Sequence, residues 1–214
     1  MRLDHVSYAT QVEHLADTVQ RLGAAIGATF VDGGLHPRFG TRNFILPLAG
    51  GSYVEVVSAL DHPAAETAPF GRAVRARAQA GGGWMGWVVA VSDMAAVEAR
   101  LGRPAVPGHR IRPDGFDLRW RQVGVLDTMA DPQLPYFIAW DVDAQHHPSA
   151  GGHDVSISEL EIAGSRRRIA KWLGEPASHP LDEVSVIWLP TDSSGGPGLV
   201  AVTLDTPRGR VRID

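Results

Sequence analysis

The chain has 214 residues, of which 44% are hydrophobic and 21% are charged, a composition typical of globular proteins. Its formal net charge of −4 gives no positive field that would favour nucleic acid or an anionic membrane as a partner. It has no cysteine, no apolar run near the roughly 20 residues that span a bilayer, and no signal-peptide pattern, so we expect a soluble, cytoplasmic protein without thiolate metal sites.

The first predicted strand covers residues 3–10, LDHVSYAT, because apolar and polar residues alternate along it. His5, two residues inside this strand, can ligate a metal. The elements expected next are a helix at 12–22 stopped by Gly23, a short strand at 28–31, a loop at 33–37 and a strand at 41–48.

A further strand over 51–57 carries one carboxylate, Glu55, among apolar neighbours. A buried carboxylate needs a cation, a hydrogen-bond donor or water beside it. A strand histidine, His5, facing this glutamate with a divalent metal as third party is the simplest arrangement. The alternative is a core histidine with one hydrogen bond and a Glu55 paired with an arginine. These two residues alone leave both arrangements open.

The pattern of strand, helix and strands then recurs, which indicates repeated modules. In the second unit a strand at 84–91 precedes a helix at 94–101 that Ser92 can cap, and Ser165 caps the helix of a third unit. The expected divisions are a module at 1–60, a connector with a surface helix at 61–83, a module at 84–142, a linker at 143–155 and a partial module at 156–214. Because one such unit cannot cover both faces of its own sheet, neighbouring units should pair around a shared interior.

Several motifs in chain order carry a resemblance to a known family: LDHV at 3–6, HP at 36–37, GTRN at 40–43, GSYVE at 51–55, LRWR at 118–121, and LPYFI at 134–138 before Trp140. They are similar to the glyoxalase-like domain family of the vicinal oxygen chelate superfamily, over most of residues 1–150. The resemblance implies an α+β fold of repeated βαβββ modules, paired into a curved, cup-like mixed sheet with helices outside, plus a third, shorter C-terminal module. This fold hosts isomerases, lyases, dioxygenases, epimerases and binding proteins, so it leaves the function open.

Metal-using members of that superfamily take two ligands from each of two modules. The resemblance places the first pair at His5 and Glu55, and the second pair at or next to Gly86 and Ala139, which cannot bind a metal. His36, on a nearby loop, is the remaining candidate. The resemblance therefore implies at most a weakly held Zn²⁺, Ni²⁺, Mn²⁺ or Fe²⁺ ion on His5, Glu55 and His36.

Five side chains are expected to contact a substrate: Asn43, Trp87, Arg119, Trp120 and Arg121. Asn43 lies in an otherwise apolar strand, so it either lines the cup or satisfies a turn, and we expect the cup. Arg119 and Arg121 share one face of their strand. Facing inward they would suit an anionic substrate such as a carboxylate. Facing outward they would be solvated, with Trp120 inside, and the pattern leaves both orientations open.

Two functions follow from the resemblance. The first is an enzyme, a lyase, isomerase or dioxygenase acting on vicinal oxygens, with a metal as Lewis acid or, without one, Glu55 as general base. The second is a metal-free protein that sequesters a hydrophobic or aromatic compound in a cup lined by tryptophans. The tryptophans expected there are Trp84, Trp87, Trp120 and Trp140. In both cases the partner is a small-molecule ligand, and a homodimer is compatible with either.

Overall fold

The structure is a computed structural model that describes residues 1–176, 178–192 and 195–214. The strands of its first module are β1 (Arg2–Ala9), β2 (Val31–His36), β3 (Thr41–Pro47) and β4 (Tyr53–Ala59). Those of the second are β5 (Gly83–Ala90), β6 (Val106–Ile111), β7 (Asp117–Val123) and β8 (Tyr136–Trp140). The third unit contributes β9 (Ser156–Ala163), β10 (Ser185–Leu189), β11 (Gly198–Thr206) and β12 (Gly209–Ile213). The helices are α1 (Leu15–Ile26), α2 (Pro63–Thr67), α3 (Pro69–Gln79), α4 (Met94–Leu101), α5 (Val125–Ala130) and α6 (Arg166–Leu173).

The first two modules close into one barrel, with strand order β1-β4-β3-β2-β6-β7-β8-β5. In each module the first strand pairs in parallel with the last, β1 with β4 and β5 with β8. The modules join along the antiparallel pair β1 and β5, and the pair Leu35 and Ile111 of β2 and β6 completes the circle. The predicted fold class, paired βαβββ modules with a shorter third unit, is confirmed. The domain boundaries stay predictions.

Helices α1 and α4 lie on the outer surface of the barrel, as expected for paired modules. Leu22 and Ile26 of α1 and Met94 and Val97 of α4 are buried in the apolar cluster between the barrel's outer face and the third unit. That cluster is separate from the one inside the barrel, which contains Val57 and residues of the facing strands. Two apolar cores result, and only the inner one borders the cup.

The connector helix α3 lies at the surface, but one of its faces is buried against the barrel. Phe70 and Val74 are buried, and they pack with Ala9, Val57 and Val88 in the cluster inside the barrel. The sequence signal was weak because the apolar stripe of α3 is narrow and most of the helix faces solvent. Helix α3 therefore closes one end of the barrel, beside the last residues of β1 and β4.

The predicted loop at 33–37 is largely strand β2, and its two glycines mark close contacts rather than a turn. A Cβ on Gly33 would lie 2.1 Å from Oδ1 of Asn43 and 2.6 Å from Nη1 of Arg110. Gly34 has a φ of +101°, and a Cβ there would lie 2.0 Å from the carbonyl oxygen of Ile111. Only glycine lets β2 approach these neighbours. The strand positions Arg110 against Asn43.

Helix ends differ slightly from the predictions. Helix α1 continues through Gly23 and ends at Gly27, whose φ of 79° suits a left-handed cap. Asp93, rather than Ser92, caps α4 by accepting a hydrogen bond from the amide of Ala96 at 3.1 Å. Ser165 caps α6 as predicted.

The third unit forms a separate four-stranded sheet in the order β10-β9-β11-β12. Strand β11 packs against β5, and the indole of Trp84 donates to the carbonyl of Ile213 at 2.9 Å. Strands β6 and β12 and helix α5 had no counterpart in the prediction. Across the described parts of the chain, no helix is long and apolar enough to cross a membrane.

Candidate functional site

Glu55 is buried inside the barrel and held by two neutral donors. Ser7, its partner across β1 and β4, donates from Oγ to Oε2 at 2.7 Å, and Asn43 of β3 donates from Nδ2 to Oε1 at 2.6 Å. Burial by itself raises the pKa of Glu55, but the imidazoles of His5 and His36 and these two hydrogen bonds lower it, and the net pKa lies below its usual value. The carboxylate is therefore ionised at neutral pH.

His5 lies in the same cavity at the centre of a hydrogen-bonded chain. Its Nδ1 is 2.8 Å from Oδ2 of Asp4, its Nε2 is 3.2 Å from the hydroxyl of Tyr136, and its ring stacks on Tyr53 with centroids 4.5 Å apart. The Asp4 carboxylate accepts, so Nδ1 carries the proton, and in the neutral ring Nε2 accepts from Tyr136. Asp4 thus fixes the tautomer and orientation of His5.

Asp4 is buried because β1 contains a bulge. The pairing with β5 runs from Leu3 opposite Val89 directly to His5 opposite Val88, which leaves Asp4 as the extra residue. A regular alternation would have pointed Asp4 away from His5, so the sequence pattern gave no sign of this contact.

The Asp4 carboxylate collects donors from distant parts of the chain. The indole of Trp140 donates to it at 3.1 Å, Nη2 of Arg2 donates at 3.2 Å, and Nε2 of His147 lies at 3.2 Å. Burial by itself raises the pKa of Asp4. The hydrogen bonds from His147 and His5 lower it by more, so the net pKa lies well below its usual range. His147 was expected only in a linker, and it instead anchors that linker to the site.

Arg110, on the unpredicted strand β6, is the cationic residue of the cavity. Its side chain is buried, and Nη1 donates to Oδ1 of Asn43 at 3.1 Å. Asn43 therefore connects Arg110 to Glu55, accepting from one and donating to the other. The expectation that Asn43 lines the cup agrees with this position.

His36 packs into the aromatic wall of the cavity. Its Nδ1 is 2.8 Å from Oγ1 of Thr41, and its ring meets Phe39, Phe70 and Trp120 edge-on, with centroids 5.8–6.3 Å apart. Burial lowers the pKa of His36 to about 3. The ring is therefore neutral at physiological pH.

The remaining free space inside the barrel is a cavity of about 20 Å³. That volume holds about one water molecule. The residues around it are His5, His36, Phe39, Asn43, Tyr53, Glu55, Phe70, Arg110, Trp120, Gln122, Tyr136, Ile138 and Trp140. A ligand larger than water must displace some of these side chains.

Three residues expected at the substrate lie elsewhere. Arg119 and Arg121 point outward from β7, where they contact the carboxylates of Asp117 and Asp141. Trp120 and Gln122 face inward instead, and the Trp120 indole donates to Gln122 at 2.7 Å. Of the two orientations that the sequence left open, the structure has the outward one, in which Arg119 and Arg121 do not contact the cavity; strand alternation defines two faces but not which one is inside.

Trp87 is also outside the cup. It is fully buried on the outer face of β5, and its indole donates to the carbonyl of Gln133 at 3.0 Å. Trp84 belongs to the same outer cluster. Of the tryptophans expected in the cup, Trp120 and Trp140 line it.

The residues of the site do not fit a tightly held metal ion. Strand pairing makes Val88 and Ile138 the second-module equivalents of His5 and Glu55, since Tyr136 pairs with Val88 as Tyr53 pairs with His5. Ile138 is next to Ala139, as expected, whereas Val88 lies two residues beyond Gly86, and neither Val88 nor Ile138 has an atom that can ligate a metal. Over the described residues, no three histidine or carboxylate side chains group as metal ligands, so His5, Glu55 and His36 do not form a metal centre.

We expect Zn²⁺, Ni²⁺, Mn²⁺ or Fe²⁺ to bind weakly and to be lost on dialysis, because His5 and His36 already hydrogen-bond to protein groups and Glu55 has two donors. Elemental analysis of the dialysed protein checks this. One ion retained per chain would contradict it, and His36→Gln would then identify the missing ligand.

The chain resembles known proteins in its sequence pattern and in its fold. A model of the glyoxalase-like domain matches residues 3–177. A hypothetical protein from Staphylococcus aureus is 15% identical, with a TM-score of 0.62, over 100% of this chain and 85% of that one. Methylmalonyl-CoA epimerase from Mycobacterium tuberculosis is 16% identical over 65% of this chain and 86% of that one, with a TM-score of 0.43. A search of curated proteins found no match. Because the domain model spans most of the sequence and the barrel has the implied architecture, the chain belongs to the glyoxalase-like domain family.

Proposed function

We propose that the chain binds a small molecule with vicinal oxygens in the cavity between its first two modules and moves a proton on that molecule with its own side chains. The observation that carries the proposal is that an ionised carboxylate, Glu55, borders the same cavity as Tyr136 and His5, and that a hydrogen-bonded chain links these two residues to Asp4 behind them. An isomerase or lyase that acts next to a carbonyl requires a proton acceptor and a proton donor beside the same small cavity.

Glu55 is the proton acceptor in this proposal. Its lowered pKa makes it a weak base in the empty site, where Ser7 and Asn43 both donate to it. A ligand oxygen that takes over either donor would remove an interaction that lowers the pKa, and the carboxylate would become more basic when the ligand is bound.

Tyr136 and His5 supply the donor side. Burial raises the pKa of Tyr136 well above its usual value, and the negative charges of Glu55 and Asp4 add to that effect. The hydroxyl therefore keeps its proton and can donate to an oxygen of the ligand. In the empty site that proton is donated to Nε2 of His5, which Asp4 holds in place, so the hydroxyl must turn from His5 to the ligand oxygen.

The rival function is a metal-free binding protein without catalysis. The low basicity of Glu55 in the empty site favours it, since an ionised carboxylate between two donors is well suited to hydrogen-bond a ligand. The rings of Phe39, Phe70 and Trp120 would then provide an apolar wall for the same compound.

Glu55→Gln is expected to abolish proton exchange while preserving the fold. The glutamine oxygen still accepts from Asn43, and the hydroxyl of Ser7 can turn to accept from the amide, so the free energy of unfolding should stay within about 1 kcal/mol of wild type. The measurement is hydrogen–deuterium exchange, followed by NMR in D₂O, at the carbon beside the carbonyl of hydroxyacetone, dihydroxyacetone and pyruvate.

Glu13→Gln, on an exposed side chain before α1, is the matched control and should exchange like wild type. Exchange that persists in a folded Glu55→Gln protein would refute the role of Glu55. Compounds that raise the unfolding temperature of wild type, lose that effect in Glu55→Gln and never exchange a proton would identify the protein as the binding protein instead.

A further inference from the structure

Arg110 has more hydrogen-bonding capacity than its protein neighbours use. Its guanidinium carries five N–H donors and stays charged when buried. Nη1 bonds to the neutral amide oxygen of Asn43, whereas Nε is buried without a hydrogen-bond partner among the described residues. A buried donor without an acceptor destabilises the empty protein, so its presence needs a reason outside the fold.

A second cavity, of about 180 Å³, lies on the other side of Arg110. Arg110 borders both this cavity and the one around Glu55, so the guanidinium is their shared wall. The polar side chains around the second cavity are Asp32, Arg110, Arg112, Gln145, His146 and His147.

Donors dominate this lining. The carboxylate among the lining residues, Asp32, already accepts two hydrogen bonds, from Nη2 of Arg42 at 2.8 Å and from the amide of Gly34 at 2.9 Å. Arg112 is neutralised by Asp114 at 2.9 Å, which leaves Arg110 as the lining cation without a carboxylate partner. Gly33 belongs to the same wall, and its missing side chain is what leaves room for the guanidinium.

We infer that this cavity is an anion pocket in which Arg110 binds the carboxylate of a small organic acid. A carboxylate there would give the guanidinium a charged acceptor, which it lacks among the described residues. The rest of the acid would extend past Arg110 toward Glu55, where it would displace side chains around the smaller cavity. This inference rests on the proposed function, and it narrows the ligand class to 2-hydroxy and 2-keto acids.

The test compares ligands that differ in charge alone. Lactate and its neutral amide, lactamide, are titrated calorimetrically at constant ionic strength into wild type, Arg110→Met and Arg119→Met. Arg119 is exposed on the neighbouring strand, so Arg119→Met removes the same charge at a position outside the cavity. We expect wild type and Arg119→Met to prefer lactate by at least about tenfold, and Arg110→Met to lose that preference while binding lactamide as before.

Each other result counts against the pocket. A lactate preference that survives in folded Arg110→Met overturns the inference, as does equal or absent binding of the two compounds by wild type. Tighter binding of inorganic phosphate than of lactate would overturn the assignment to a carboxylate. If Arg110→Met does not fold, Arg110→Lys decides. It keeps the charge but not the planar fork, so it should still prefer lactate to lactamide, and equal binding of the two compounds by folded Arg110→Lys would overturn the inference.

The two proposals fail separately. A protein that binds lactate through Arg110 but exchanges no proton on any compound keeps the anion pocket and loses the proposed catalysis. A protein that exchanges protons on hydroxyacetone and shows no charge preference keeps the catalysis and loses the pocket.

Discussion

Asp4→Asn is expected to lower the free energy of unfolding by about 3 kcal/mol, because it removes the charge at the centre of a buried polar cluster. The Asp4 side chain is fully buried and accepts from His5, Trp140 and Arg2, with His147 at 3.2 Å. An asparagine fits the same space, but its amide would face groups that are themselves donors. Denaturant unfolding at neutral pH measures the loss.

Asp205→Asn is the matched control. Asp205 pairs with Arg210 on the exposed side of the third unit, where such a pair contributes less than about 1 kcal/mol. A loss in Asp4→Asn no larger than in this control would show that Asp4 contributes little to stability. If the cluster also orients the site, Asp4→Asn should impair proton exchange at temperatures where the variant is still folded.

The sequence predicted the parts of the fold that depend on local pattern. Alternation placed β1, because a period-two pattern reports a half-buried strand, and short apolar runs placed β4 and β5. The order of motifs implied paired modules. Two side chains that the sequence singled out, His5 and Glu55, border the cavity, and they were chosen because a strand histidine and a lone carboxylate among apolar neighbours are suited to a metal or to each other.

The missed residues depend on contacts that no local pattern encodes. Asp4 enters the site through a bulge, and bulges shift the register without changing composition. Arg110 lies in a strand interrupted by proline and glycine, VPGHRI at 106–111, which does not alternate clearly. Phe70 closes the barrel from a helix whose three arginines indicated a surface position. Alternation placed Arg119 and Trp120 on opposite faces, and only tertiary packing decided that Trp120 is inside.

His36 is expected to make the protein acid-labile. Burial lowers its pKa from 6.5 to about 3 in the folded state, with Arg110, His5 and His109 adding to that effect and Glu55 opposing it. Below the unfolded pKa the unfolded chain binds a proton that the folded chain refuses, so stability falls as the pH falls. Between about pH 7.5 and about pH 4.5 the loss from His36 alone should be about 2–3 kcal/mol.

His36→Gln should flatten this pH dependence by about the same amount, because glutamine can keep the hydrogen bond to Thr41 and does not titrate. Its stability at neutral pH should fall, since the ring contacts with Phe39, Phe70 and Trp120 are lost. The comparison is therefore between slopes of unfolding free energy against pH. His14→Gln, on an exposed histidine, serves as the control and should follow wild type. Equal slopes in wild type and His36→Gln would mean that His36 accepts a proton inside the folded barrel. The assignment of a neutral, buried imidazole to the wall of the cavity would then be wrong.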